Sequence, residues 1–188
     1  MTKAEFARLY SRYKLADFLA THSTSQVKKI LNTFSCARNA DVEDFLHNKA
    51  ITFEKYLRSR TYIYIHNKSK RIEAYFSIGI TYLLTKDIDR DMIKFLDGYT
   101  DESVAIPCYL VGQLGKSDEC KAKIGNFLLD ETITIIDNAQ NTLSGRFVLV
   151  DSLNDISIIK FYERNLFLPL ERSNFTKSIK MIKPYFLH

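Results

Sequence analysis

Val104-Ala105-Ile106-Pro107-Cys108-Tyr109-Leu110-Val111-Gly112-Gln113-Leu114 opens the stretch on which the fold turns. It is an apolar strand, broken in the sequence reading by Pro107 and followed by Gly112 and Gly115. After a polar turn, Ile124 to Ile136 carries Phe127, Leu128 and Ile133 at helical spacing. Phe147-Val148-Leu149-Val150 then reads as a strand buried on both faces. Strand, helix, strand, a helix from about Asn154 to Arg164, then strands near Phe167–Leu170 and Ser178–Phe186 predict an α+β or α/β fold around a mixed sheet.

Working toward the N-terminus, Thr61-Tyr62-Ile63-Tyr64-Ile65 is β-branched and aromatic, and His66-Asn67-Lys68-Ser69-Lys70 is polar. Arg71 to Leu84 is strand-like again, so the segment predicts a β-hairpin. Residues 86–97 predict a helix ending at Gly98. Val42, Phe45, Leu46, Ala50, Phe53 and Leu57 recur every three or four positions behind Asp41, read as the N-cap of an amphipathic helix. A short helix is expected over 24–34, and residues 1–40 are expected to add a first strand and helix.

The 188 residues fit a single domain spanning 1–188, with 46% hydrophobic residues to fill a core and only 6 Gly and 3 Pro to interrupt it. The formal charge is +5 and the pI near 9.0. That excess admits an anionic partner such as a cofactor phosphate or nucleic acid, without requiring one. Cys36, Cys108 and Cys120 show neither metal-ligand spacing nor a disulfide pattern, which fits a reducing cytoplasm. The polar start Met1-Thr2-Lys3-Ala4-Glu5 has no signal-peptide h-region, and no run approaches the roughly 18 apolar residues of a membrane span. No membrane partner and no metal site are expected.

Four pieces of the sequence resemble GNAT N-acetyltransferases, in the family's order. Arg60 to Ile65 with Ala74-Tyr75-Phe76-Ser77-Ile78 is similar to the central hairpin, and Ile106 to Leu114 resembles the strand beside acetyl-CoA. Val148 to Asp155 and Ile159 to Phe167 resemble the strand and helix that follow. The resemblance covers about residues 40–186. It implies a GNAT-like mixed, mostly antiparallel sheet flanked by helices, with direct acetyl transfer from acetyl-CoA to a primary amine. Asp44-Phe45-Leu46, Ala50, Ser59-Arg60-Thr61 and the 106–114 strand resemble the acetyltransferase-toxin branch, whose members act on aminoacyl-tRNA and are held by an antitoxin. That makes tRNA a minority candidate for the acceptor beside other amines, and leaves a homodimer among the allowed assemblies.

Acyl transfer needs donors facing the thioester carbonyl, loss of a proton from the amine and gain of one by the departing thiolate. By resemblance, the backbone of Val111, Gln113 and Leu114 binds the pantetheine arm where two strands splay. The pyrophosphate calls for a helix N-terminus. The family motif there is Gln or Arg, two variable residues, Gly, one variable residue, then Gly or Ala. Cys120-Lys121-Ala122-Lys123-Ile124-Gly125 keeps only the final glycine, and Lys121 and Lys123 bring cations in exchange. Ile124, Gly125 and Asn126 complete the expected cofactor-binding stretch, and Asn154 is expected both to cap the following helix and to contact the cofactor.

Tyr162, in Phe161-Tyr162-Glu163, stands where the resembling enzymes place a tyrosine general acid. A phenol holds its proton at neutral pH yet yields it to a stronger base. Without the resemblance, composition favours reading Tyr162 as a packed aromatic on an amphipathic helix beside Ile158, Ile159 and Phe161. No general base stands out: His22, His47, His66 and His188 lack partners at a diagnostic spacing, and Glu73 is a weak candidate. The degraded 120–125 motif keeps a second reading open, a catalytically impaired GNAT-like module that binds or regulates.

Overall fold

The computed structural model describes residues 2–170 and 177–186. The chain divides into two compact units, Met1–Gly79 with Gly112–Ile135, and Ile80–Val111 with Ile136–His188.

The first unit starts with α1 (Lys3–Leu9), β1 (Tyr10–Lys14), α2 (Leu15–Thr21) and α3 (Thr24–Leu31). Thr2 and Ser23 each form a capping box, with Glu5 and Gln26 respectively, satisfying N–H groups that a helix start otherwise leaves orphaned. The amphipathic helix is α4 (Ala40–Asp44), a wide π turn over Phe45–Lys49, and α5 (Ala50–Lys55). Its cap is Asn39, whose side chain accepts from the Val42 amide, and not the expected Asp41, which lies in the first turn.

The hairpin is β2 (Arg60–His66) and β3 (Ile72–Leu84), with β1 antiparallel to β2 from Tyr10↔His66 to Lys14↔Tyr62. Ile63, Ile72 and Tyr75 pack with Leu31, Phe34 and Leu46. Tyr62, Tyr64 and Phe76 pack with Phe6, Ile124 and Leu128. The alternation of β2 thus feeds one apolar cluster on each face. Where β1 ends, buried Glu54 of α5 takes over: its carboxylate accepts the Thr61 amide at 2.9 Å and Arg60 at 2.6 Å.

The second unit contains α6 (Arg90–Asp97), closed by Gly98 at φ +81°, and β5 (Phe147–Leu153), α8 (Ile156–Arg164), β6 (Leu168–Pro169) and β7 (Ser178–Pro184). Leu83, Ile93, Leu96, Cys108, Phe147, Leu149 and Ile182 form its core. Three elements supply residues to both units: β3, β4 (Ala105–Lys116) and α7 (Gly125–Leu143). The strand order is β1-β2-β3-β4-β5-β7-β6. β4 and β5 are parallel, whereas the β1–β2, β2–β3, β5–β7 and β6–β7 pairs are antiparallel. The mixed, mostly antiparallel sheet is as expected.

Pro107 does not break β4, contrary to the sequence reading. It is exposed and lies before Tyr109, the first residue paired with β5, so its missing N–H costs that ladder no bond. Among the described residues no helix is long and apolar enough to cross a membrane.

Candidate functional site

Parallel pairing between β4 and β5 covers Tyr109↔Val148, Leu110↔Leu149 and Val111↔Val150. Both strands run on past it, β4 to Lys116 and β5 to Leu153, while β7 pairs along the other edge of β5 over its whole length. Tyr109 donates its hydroxyl to the carbonyl of Ser144, just past α7, at 2.5 Å. Val111 is the last β4 residue of the parallel ladder, and Gln113 and Leu114 lie on β4 beyond it.

Gly125 is the first residue of α7, one residue after the start expected at Ile124. The preceding loop is tied down within the first unit. Asp118 N–H donates to Ser35 O at 2.9 Å, and Ala37 N–H donates to the Asp118 carboxylate at 2.7 Å. Lys116 Nζ reaches Ala122 O at 2.9 Å. Lys121 is exposed and its ammonium donates to Asp118 O at 2.9 Å, and Lys123 and Asn126 are exposed. Ile124 differs: its side chain is fully buried, and its amide donates to Ala122 O at 3.2 Å. Cys120 is buried, 3.6 Å from the Tyr10 hydroxyl, which donates to Glu73 at 3.1 Å. Burial raises the Cys120 thiol above its ordinary value.

In the second unit, Asp155 rather than Asn154 caps α8, accepting the amides of Ser157 at 2.8 Å and Ile158 at 3.2 Å. The Ser157 hydrogen bonds and the helix amides hold the Asp155 carboxyl below its usual range. Asn154 donates its amide to Lys177 O at 3.1 Å. Tyr162 is buried, with its ring edge-on to Phe161 at 5.1 Å and to Phe167 at 5.3 Å. Among the described residues its hydroxyl makes no hydrogen bond, and desolvation pushes the phenol well above the ordinary tyrosine value. The packed-aromatic and proton-donor readings thus describe one side chain: the ring packs and the hydroxyl is uncommitted.

Three of the four histidines are held by local contacts. His22 Nδ1 meets Thr21 Oγ1 at 2.8 Å, His47 Nε2 meets Phe34 O at 3.0 Å, and His66 Nδ1 accepts from the Ser69 amide at 3.2 Å. His188 lies outside the described residues. Among the described residues no group of His, Cys, Asp or Glu could hold a metal ion.

The sequence reading passed over Asp151. It follows Val150 directly, so it is the first β5 residue beyond the parallel ladder, and it lines a cavity of about 450 Å³ with Leu83, Ile88, Ile179 and Lys180. Phe147 and Leu149 belong to the core and Asp151 continues their alternation, a sequence signal that the contiguous apolar run obscured.

No protein-family model and no curated protein sequence matches the chain. Solved structures do. A mutant of KacT shares 14% identity at a TM-score of 0.70, over 94% of this chain and 95% of that one. The AtaT mutant toxin bound to the C-terminus of the antitoxin AtaR and acetyl-CoA shares 15% identity at 0.67, over 93% and 92%. AtaT complexed with acetyl-methionyl-tRNAfMet shares 16% identity at 0.65, over 91% and 93%. At these identities the likeness establishes a shared fold, the GNAT-like one expected from the sequence.

Proposed function

We propose that the chain is an acetyl-CoA-dependent N-acetyltransferase that acts, as a single functional domain, on a primary amine in the cytoplasm. The observation that carries this reading is the end of the parallel ladder at Val111↔Val150 while both strands continue. Backbone N–H groups of Val111, Gln113 and Leu114 released there are suited to the amides of a pantetheine arm and to a carbonyl that gains negative charge. The α7 start at Gly125 and Asn126, with Lys121 and Lys123 exposed in the loop before it, suits a pyrophosphate. Lys123 stands where the family motif has glycine, so charge replaces part of the close backbone fit. Asn154 is assigned to the cofactor as well.

When bound, acetyl-CoA supplies the acetyl group as a thioester. The chain's part is to hold the carbonyl by backbone donors and to return a proton to the thiolate from Tyr162 Oη. The raised phenol value keeps that proton in place at neutral pH. The catalytically impaired alternative rests on the altered 120–125 stretch alone, and the uncommitted Tyr162 hydroxyl favours the active enzyme. The tRNA complex and the antitoxin complex among the structural neighbours support including aminoacyl-tRNA among the acceptors and an antitoxin among the partners.

Thermal unfolding with and without acetyl-CoA tests the reading. Ligand at a hundred times its Kd contributes about 2.7 kcal/mol, which for a domain of this size raises Tm by roughly 5–10 °C. An unmoved Tm at millimolar acetyl-CoA removes the reading.

A further inference from the structure

β3 outlasts its first partner. The β2–β3 ladder ends at Arg60↔Ile78, where β2 begins, whereas β3 runs on to Leu84. In the sheet β3 lies between β2 and β4, so beyond Ile78 a strand flanks it on the β4 side only. Thr85 N–H donates to Val104 O, toward β4, at 3.2 Å. Backbone groups alternate between the two edges of a strand, so the N–H and C=O of Ile80, Tyr82 and Leu84 point to the side that β2 has left. Their side chains share one face and are 67%, 64% and 70% exposed. Open sheet edges are normally blunted by charge, proline or brevity. β1, at one end of the sheet, carries Arg12 and Lys14, and β6, at the other, is two residues long and includes Pro169. Gly79-Ile80-Thr81-Tyr82-Leu83-Leu84-Thr85 has neither a charge nor a proline.

We propose that this edge is the interface of a homodimer, in which β3 pairs antiparallel with β3 of a second copy about a two-fold axis through Tyr82. The proposal does not depend on the transferase reading. A two-fold interface must be its own complement, and this edge meets that condition. Centring on Tyr82 sets Ile80 opposite the partner's Leu84 and Tyr82 opposite the partner's Tyr82. The outward N–H and C=O groups of the same three residues then meet in hydrogen-bonded pairs. On the shared face their side chains form aromatic and aliphatic cross-strand pairs. Three such side chains from each copy, at roughly 100–150 Å² of apolar surface apiece, cover about 600–900 Å². The paired backbones of residues 80–84 bring the contact to the roughly 1,000 Å² that a specific interface needs. Pairing also uses up the edge on both copies, so assembly stops at two.

Sedimentation velocity of the full chain over a dilution series is expected to show a monomer–dimer equilibrium. Tyr82→Lys and Tyr82→Glu each set like charges face to face across the axis, and each should weaken dimerisation by about tenfold or more, with the circular dichroism spectrum unchanged. Mixed in equal amounts, the two variants should recover a dimer, because opposite charges now meet; only an axis at residue 82 predicts that rescue. Tyr82→Cys should join chain to chain on oxidation, since directly opposed Cα atoms in such a pair lie about 5.5 Å apart, within disulfide reach. The native Cys36, Cys108 and Cys120 are buried. Tyr99→Cys, the same change at a residue 92% exposed and off the edge, should cross-link far less. A wild-type chain that stays monomeric overturns the proposal. So does a dimer that survives Tyr82→Lys, a mixture that stays monomeric, or equal cross-linking at residues 82 and 99.

Discussion

Replacing Tyr162 by phenylalanine removes one oxygen from a ring that stays packed edge-on against Phe161 and Phe167. The hydroxyl has no hydrogen-bond partner among the described residues, so its loss breaks no bond, and stability should change by less than about 1 kcal/mol. The effect on turnover is of another size. A positioned general acid contributes about 10²–10⁴-fold, which at 1.36 kcal/mol per factor of ten is about 2.7–5.4 kcal/mol of transition-state stabilisation. Tyr162→Ala separates the two roles, since emptying the ring's place should cost about 3–5 kcal/mol of stability as well. The assay is CoA release at saturating acetyl-CoA and amine, with Tm recorded with and without acetyl-CoA. The expected Phe variant melts like the wild type, keeps its cofactor shift and loses at least a hundredfold in kcat. Because burial raises the phenol, the wild-type kcat should show no alkaline decline from Tyr162 below the ordinary tyrosine value near 10. A Phe variant with kcat within twofold of wild type refutes the acid role and leaves Tyr162 a packing residue.

Lys123→Glu should weaken CoA by about 1.5–3 kcal/mol, the range of a hydrogen bond to a charged group, while leaving a pantetheine fragment without phosphates unaffected; calorimetry on both ligands checks it. Thr61→Val should be neutral or stabilising by up to about 1 kcal/mol in denaturant titration, because the buried Thr61 and Ser77 hydroxyls, opposite each other in the β2–β3 ladder, lack partners among the described residues. Gly115→Ala should lower stability by about 1–3 kcal/mol, since a Cβ there meets the side chain of Val42 in the buried core, and a fall in the urea midpoint reads it. Acid should destabilise the fold through Asp97, held low by the Thr100 amide and Ser103 hydroxyl, and Asp155, held low by Ser157 and the α8 amides. With folded values depressed, their contribution is complete above the ordinary 3.8 and drains as pH falls through the lower folded values, so urea midpoints should fall between pH 5 and pH 2.5, and less steeply in Asp97→Asn.

The elements were legible wherever a local period carried them. The hairpin of β2 and β3, α6 with its Gly98 stop and the buried β5 run all follow from composition and spacing within a dozen residues. The misplaced helix starts have a common cause. Asn39 and Asp41, like Asn154 and Asp155, are cap-forming residues one or two positions apart, and only the backbone path decides which side chain reaches the free amides. The end of the β4–β5 ladder was invisible for a different reason. Ile106 to Leu114 is apolar on both faces, so no alternation marks the residue at which its pairing with β5 ends. Contacts between distant residues had no sequence signature at all: Tyr10 meets Glu73 and Cys120 across separations of 63 and 110 residues.

That last network bears on how, in the proposed reading, a motif with one matching glycine would serve a pyrophosphate. In the expected pattern, small residues and a polar first position let the loop wrap the phosphates. Here the loop is fixed by other means: Asp118 is bonded on both sides to the 35–37 segment, and Lys116 holds Ala122 O. Arg38 donates to the carbonyls of Lys116 and Ser117 at 3.0 and 3.3 Å, and Ser117 N–H donates to Glu73 O at 2.8 Å. Cys120 then need not bind anything outside the protein; its buried thiol fills the space beside Tyr10, a role a glutamine or arginine could not take. A loop already ordered loses little conformational freedom when an anion arrives. On the proposed reading the first amides of α7 therefore need less help from glycine, and Lys123, exposed on the ordered loop, would add its charge without having to carry the loop's shape.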